Sequence, residues 1–332
     1  MKSFKDFTPI LISIILTVFI LGFASASFAK NWKSGHPAPP GTPFDAAHLK
    51  FIELVKEKTG GKIIIDGFPA EQLGPYRDMF SNVVLGVQEM GFLPASPEFS
   101  PELQAITTPY LADNWDEARE IFSTEGWMFK MLDPVFDKLG IKMLGIVPCG
   151  FEGFANIKGP VLAPEDITKK NIKVRTWCPS DRLMFEEIGA QTVDVSFSEL
   201  FTSIQTGVAH AHDSTPLISY FMFKDVTKYY TDINHIFETL IIMVNKKKYN
   251  KLSLKHQKAL QEAADETVVF AANIVQGAEE SIFKKMEEEG IKVIRLTQKQ
   301  RDAWKAYGKK SWDKFEKILG KDAMDHIRAN AK

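Results

Sequence analysis

The sequence predicts an α/β protein of two domains, and three observations carry that prediction. Short apolar runs alternate with amphipathic helical stretches, a rhythm that builds parallel sheets with helices on both faces. Ile63-Ile64-Ile65 is an uninterrupted aliphatic run of the kind found in strands buried on both sides. From Leu254 to Glu289 a helical pattern rich in Ala, Glu, Gln and Lys contains no proline and one glycine, Gly277. At about 1.5 Å per residue that helix spans roughly 54 Å. It is too long for one domain of this size and must bridge two.

Composition supports ordinary cores and excludes several partners. The 332 residues carry a formal net charge of −1 and are 45% hydrophobic, so no whole-molecule field attracts nucleic acid or anionic lipid. No solenoid repeat is present. Lys2 and Lys5 precede an apolar run, Ile10 to Phe23, and then the small-residue segment Ala24 to Ala29. That is the layout of a cleaved export signal over residues 1–29, with cleavage expected after Ala29 and a periplasmic mature chain. An uncleaved anchor is the competing reading, although the run falls short of the about 20 apolar residues a span needs. About 300 residues remain, which at roughly 150 per domain again gives two. Cys149 and Cys178 are the only cysteines. An oxidising compartment permits a disulfide, and the sequence leaves open whether they pair. Without a CxxC or Cys/His array, no structural zinc site is expected.

In chain order, a short strand at Asn31 to Ser34 leads into the turn-rich loop Gly35 to Pro43. Phe44, Ala47, Phe51, Leu54 and Val55 then repeat at helical spacing until Gly60-Gly61. A strand from Lys62 to Gly67, a helix from Tyr76 to Leu85 and a strand from Val87 to Leu93 follow. Asp113 or Asn114 caps the next helix. Ile141 to Val147 is a strand running into the glycine-interrupted Gly150 to Phe154, the candidate for the first crossing between domains.

The second domain opens with a short helix near Pro164 and a strand, Ile172 to Val174. A helix starting near Pro179 is closed by Gly189. Ser196 and Glu199 form a capping box, and Gly207 ends that helix. The chain then passes a strand-like Ala209 to Ser214 and a helical Leu217 to Asp225. His235 to Val244 is a strand expected to return to the first domain. After the long helix, Ile291 to Ile294 is a strand, and Trp304, Tyr307, Trp312 and Phe315 form a helical core stripe.

Arg175 is the leading candidate for a functional residue, because it stands at a strand's carboxyl end, where open α/β sheets hold ligands. Its guanidinium suits a carboxylate held by two parallel hydrogen bonds. His210-Ala211-His212-Asp213 places two imidazoles at alternate strand positions, which suits pocket lining or a pH-sensitive hydrogen bond. A zinc hydrolase is the alternative reading. No second cluster of suitable spacing accompanies the run, so neither catalysis nor a cofactor is expected.

Several segments together resemble the extracytoplasmic solute receptors of tripartite ATP-independent periplasmic (TRAP) transporters, the DctP-like family. They are FIELVKEKTGGKIIIDGFPAEQLGP from Phe51, TTPYL from Thr107 and LGIKMLGI from Leu139. APEDITKKNIKVRT from Ala163, IGAQTVDVSFSELFTSIQTGV from Ile188 and KDVTKYYT from Lys224 complete the set. The resemblance covers nearly all of the expected mature chain. It implies a class II periplasmic binding fold, with two lobes, crossing hinge strands and a long helix spanning both. The lobes are expected at 30–150 plus 236–278 and at 151–235 plus 279–332.

The resemblance implies that Arg175 pairs with a ligand carboxylate, that Phe197 packs on the ligand, and that His36 reaches it from the other lobe. Ser214 matches a frequent asparagine. Phe92, Tyr110, Phe154 and Trp177 are expected around the same cleft, with His212 and Asp213 beside it. Sialic-acid receptors carry a second arginine where this chain has Phe151-Glu152-Gly153-Phe154, and a glutamate near Pro94. A polyhydroxylated sugar acid is therefore disfavoured, and a small monocarboxylate with an apolar body is expected. Some family members hold a metal bridging the ligand carboxylate, so a bound cation stays open. The expected partners are that ligand and the small and large TRAP membrane subunits, with the receptor a monomer. The competing functions are the binding protein of an ATP-driven importer or of a sensor system.

Overall fold

A computed structural model describes residues 31–213, 217 and 222–331, with the Ser198 side chain excepted. The export signal expected over residues 1–29 lies outside them. Two mixed sheets form two lobes. In the first, β1 (Trp32–Gly35) runs parallel to β2 (Ile65–Phe68) and to β3 (Met90–Leu93). Next along the chain come β4 (Ile141–Phe151), β5 (Phe154–Asn156), β6 (Lys173–Thr176), β7 (Gln191–Asp194), β8 (Ala211–His212) and β9 (Tyr229–Thr231). β10 (Phe237–Asn245) and β11 (Lys292–Ile294) complete the set. The strand orders are β2-β1-β3-β10-β4 and β11-β9-β5-β8-β6-β7.

The first sheet departs from the all-parallel expectation because β10 enters it from the second lobe. Arriving from that direction, it runs antiparallel to both β3 and β4 and separates them. The two crossings therefore lie side by side. β4 reaches Phe151 paired with Phe237, the Glu152 N–H donates to the Ile236 carbonyl at 2.9 Å, and β5 begins two residues later. Gly153, at this crossing, leaves room for the Tyr230 hydroxyl, since a Cβ there would lie 2.0 Å from that oxygen.

Local chemistry explains most helix limits. Pro43–Lys58 starts with proline in its first turn, and the Thr42 hydroxyl accepts from the Asp45 N–H at 3.3 Å. Its face of Phe44, Ala47, Phe51, Leu54 and Val55 is buried. The strand expected from Lys62 begins later, at Ile65. Gly60 and Gly61 both take positive φ, and the Ile63 N–H donates to the Thr59 hydroxyl, so this stretch is spent on ending the helix. Ser196 and Glu199 do bond side chain to side chain, at 2.7 Å, but they open a 3-10 turn, Phe197–Glu199, ahead of the helix Leu200–Gln205.

The long helix, Leu254–Glu288, has 35 residues and a serine cap, Ser253, whose hydroxyl accepts from the His256 N–H. It packs on the helix Pro43–Lys58 and on β4 of one lobe and reaches β11 of the other. A second link is the helix Gln298–Leu319. Trp304 sits in the core of the second lobe, whereas Trp312 and Phe315 sit in the core of the first. One aromatic stripe thus fills both cores.

Candidate functional site

The strand ends and loops of both lobes enclose a cavity of about 260 Å³. One wall comes from the loop after β1, with Pro37, Ala38 and Pro39, together with Phe44, Tyr76 and Pro94. The other is Arg175, Trp177 and the segment from Asp194 to Phe197, with Met222 beside it. Glu71, Pro75 and Arg77, next to Tyr76 in the first lobe, and Cys149, Glu238 and Leu240 of the hinge strands complete the lining, so a second guanidinium besides Arg175 reaches the cavity. Most of the wall is aromatic or aliphatic, and its polar side chains are Glu71, Arg77, Arg175, Asp194, Ser196 and Glu238, the usual make-up of a small-molecule site.

Arg175 is fixed by its strand. β6 lies between β7 and β8, so Arg175 has Val193 on one side and His212 on the other. Its Nε–H donates to the Val195 carbonyl oxygen at 2.8 Å, and the residue is only 2% exposed. Burial lowers its pKa, while the carboxylates of Asp213, Asp181, Glu152 and Asp194 act in the opposite sense. Trp177 stands two residues on, and its buried indole N–H makes no hydrogen bond. Phe197 meets Phe223 edge to face, with ring centroids 5.5 Å apart.

The other sequence candidates divide into three groups. Phe92 lies in the core between the rings of His48 and Phe51. Phe154 stacks on Phe185, and the Tyr110 hydroxyl donates to the Ile233 carbonyl; both belong to the second-lobe core. His36 is fully buried one residue before the cavity wall, with Nε2 3.3 Å from the Asp45 carboxylate, and burial lowers its pKa. His212 is buried against Phe223, and burial with the Arg175 charge pushes it down to about 3. Asp213 is fully buried, and its carboxylate acts on the Arg175 charge. Ser214 lies outside the described residues.

Among the described residues, the two histidines of the HxHD run do not converge on a common metal position. The His210 Nδ1 accepts the Lys173 backbone N–H at 3.1 Å, and His212 faces the Phe223 ring. Cys149 and Cys178 are separate buried thiols, each with its pKa raised mainly by burial.

Sequence reasoning missed the buried acidic groups where the hinge strands meet the cavity. Burial pushes the Glu238 carboxyl up to about 8 and Glu152 well above its usual range. The only signal was a glutamate interrupting the apolar run of β10. Tyr76 was also missed as a lining residue; burial pushes its phenol up to about 12.

Residues 34–318 match the family of bacterial extracellular solute-binding proteins, family 7, DctP. The 2,3-diketo-L-gulonate-binding periplasmic protein YiaO of Escherichia coli (strain K12) is 27% identical over 85% of this chain and 87% of its own. The C4-dicarboxylate-binding periplasmic protein DctP of Rhodobacter capsulatus is 24% identical over 90% of each chain. A crystal structure of a TRAP periplasmic solute-binding protein from Ochrobactrum anthropi superposes with a TM-score of 0.82 and 25% identity. That match covers 91% of this chain and 94% of the other, whose C-terminus is bound in its ligand pocket. Two lobes, paired hinge strands, a helix across both and a match over most of the length agree: the chain belongs to the DctP family of TRAP extracytoplasmic solute receptors.

Proposed function

We propose that this receptor captures a small organic monocarboxylate with an apolar body, pairing its carboxylate with Arg175, and delivers it to TRAP membrane subunits from the periplasm. The observation that carries the reading is a buried guanidinium, held by the Val195 carbonyl, in a cavity whose wall is mostly apolar, with Glu71, Arg77, Asp194 and Glu238 as its other charged side chains. A cation in that setting favours an anion, and a planar carboxylate matches the geometry of a guanidinium. The unbonded Trp177 indole N–H supplies a further donor. Phe197, Phe44 and Leu240 offer surface for the apolar body. Relatives named for 2,3-diketo-L-gulonate and for C4-dicarboxylates support an organic acid as the ligand, while the apolar body rests on the cavity wall alone. The cavity volume of about 260 Å³ favours the smaller members of that chemistry.

We take the lobes as 30–150 plus 236–278 and 151–235 plus 279–332, with closure about the paired crossings trapping the acid. Among the described residues no helix is long and apolar enough to cross a membrane. The reading is tested by calorimetry of the purified receptor against a panel of short 2-oxo, branched and aromatic acids, with dicarboxylates and neutral analogues as controls. A monocarboxylate is expected to bind best, and the corresponding amide not at all. Equal binding of acid and amide would remove the carboxylate pairing.

A further inference from the structure

We propose that the hinge holds a divalent cation of the zinc or manganese class between Glu152, Asp181, Asp213 and His235, coordinated by protein side chains alone. These residues come from four places in the chain. Glu152 lies between β4 and β5, at the first crossing, and His235 between β9 and β10, at the second. Asp181 is in the first turn of the helix Pro179–Glu187, and Asp213 directly follows β8. All four are 0% exposed.

Their spacing fits ligands around one ion better than it fits hydrogen bonds. The His235 Nε2 is 3.5 Å from an Asp213 oxygen, 3.6 Å from Asp181 and 3.8 Å from Glu152. An N–H···O bond spans about 2.7 to 3.2 Å, so each of these contacts is too long. The long His235 contacts and the neighbouring Glu238 aside, no oxygen of the three carboxylates and neither ring nitrogen of His235 has a partner at ordinary hydrogen-bond geometry. Buried polar atoms are otherwise almost always paired. One ligand atom from each of Glu152, Asp181 and His235 lies within 4.8 Å of the others. A tetrahedron with bonds of about 2.0 to 2.1 Å has edges of about 3.3 to 3.4 Å. The three edges from His235 exceed this by only about 0.1 to 0.5 Å, whereas the carboxylates must draw in further towards one another to close the set on a cation.

Charge argues in the same direction. Three carboxylates converge in a region closed to water, with Glu238 beside them and the Arg175 guanidinium at the border. Buried carboxylates need paired or coordinated charge. One imidazole with several carboxylate oxygens is a donor set for zinc or manganese rather than for a thiophilic ion. A cation here joins the two crossings directly, which makes it a tie across the hinge and not a contact to the solute.

The test uses the purified full chain, stripped with a chelator, loaded separately with zinc or manganese and desalted without any organic acid present. About one equivalent of at least one metal is expected by mass spectrometry, together with a raised thermal midpoint. Asp181→Asn, which conserves shape, should weaken metal affinity at least about tenfold. His210→Ala, outside the cluster, should leave occupancy unchanged. A wild-type chain that retains neither metal overturns the proposal, and so does an Asp181→Asn chain, folded by circular dichroism, that retains as much as wild type. Acid binding is absent from these measurements, so its failure and this one remain separable.

Discussion

The Arg175 Nε–H donates to the Val195 carbonyl oxygen at 2.8 Å, which ties the end of one strand to the loop after its parallel neighbour. The bond uses the inner nitrogen and fixes the plane of the guanidinium. Lysine has no such nitrogen and carries its charge as a single point. Arg175→Lys is therefore expected to lose most of the affinity for the best acid, even though the charge is kept. Removal of a buried charged partner costs about 3 to 5 kcal/mol. Calorimetry on wild type, Arg175→Lys and Arg175→Ala checks this. A lysine variant that binds as tightly as wild type would show that charge alone matters.

His48 predicts how the fold responds to acid. Its Nε2 is 2.7 Å from the Ser34 hydroxyl, and burial, aided by His36, pushes it from 6.5 down to about 3. The folded chain keeps this imidazole neutral while the unfolded chain takes up a proton below pH 6.5. Its contribution is thus fully present above pH 6.5 and falls between pH 6.5 and 3, by up to about 1.4 kcal/mol per unit. From pH 7 to pH 5 the loss through His48 should approach about 2 kcal/mol. Urea unfolding of wild type and His48→Gln at both pH values measures it. An equal loss in the two proteins would rule out His48 as the source.

Gly153→Ala should be destabilising for a steric reason that is local to the first crossing. The added methyl would meet the hydroxyl end of Tyr230, a buried ring whose para carbon is also only 2.1 Å away. Overpacking of this kind costs about 1 to 3 kcal/mol. In a Tyr230→Leu background the same substitution should cost much less, because the two positions are directly coupled. A double-mutant cycle with no coupling energy would contradict the contact.

Locally encoded features were legible in the sequence, and features that depend on distant chain segments were not. The long helix was readable from Leu254 to its end because propensity and the absence of proline act residue by residue. Arg175 was readable as a strand-end cation for the same reason. Phe92, Tyr110 and Phe154 look no different in sequence from Trp177 and Phe197, yet the structure places the first three in cores and the last two on the cavity. An aromatic residue declares that it will be buried, but not beneath which surface. Glu152, Asp181, Asp213 and His235 each have a commonplace local setting, and only the two crossings bring them together. The antiparallel entry of β10 is likewise a property of where the chain comes back from.

That late return has a consequence for biogenesis. The first lobe cannot complete its sheet while the chain is still short, because β10, the strand seated between β3 and β4, ends at Asn245. Until then β3 and β4 each present an unpaired edge, and the apolar side chains Leu240 to Val244 that belong between them have yet to emerge. A nascent chain therefore remains unfinished through most of its synthesis. Pairing across such sequence distances is slow and leaves aggregation-prone edges open. The same strand that couples the lobes also sets the moment at which the N-terminal half can first become native.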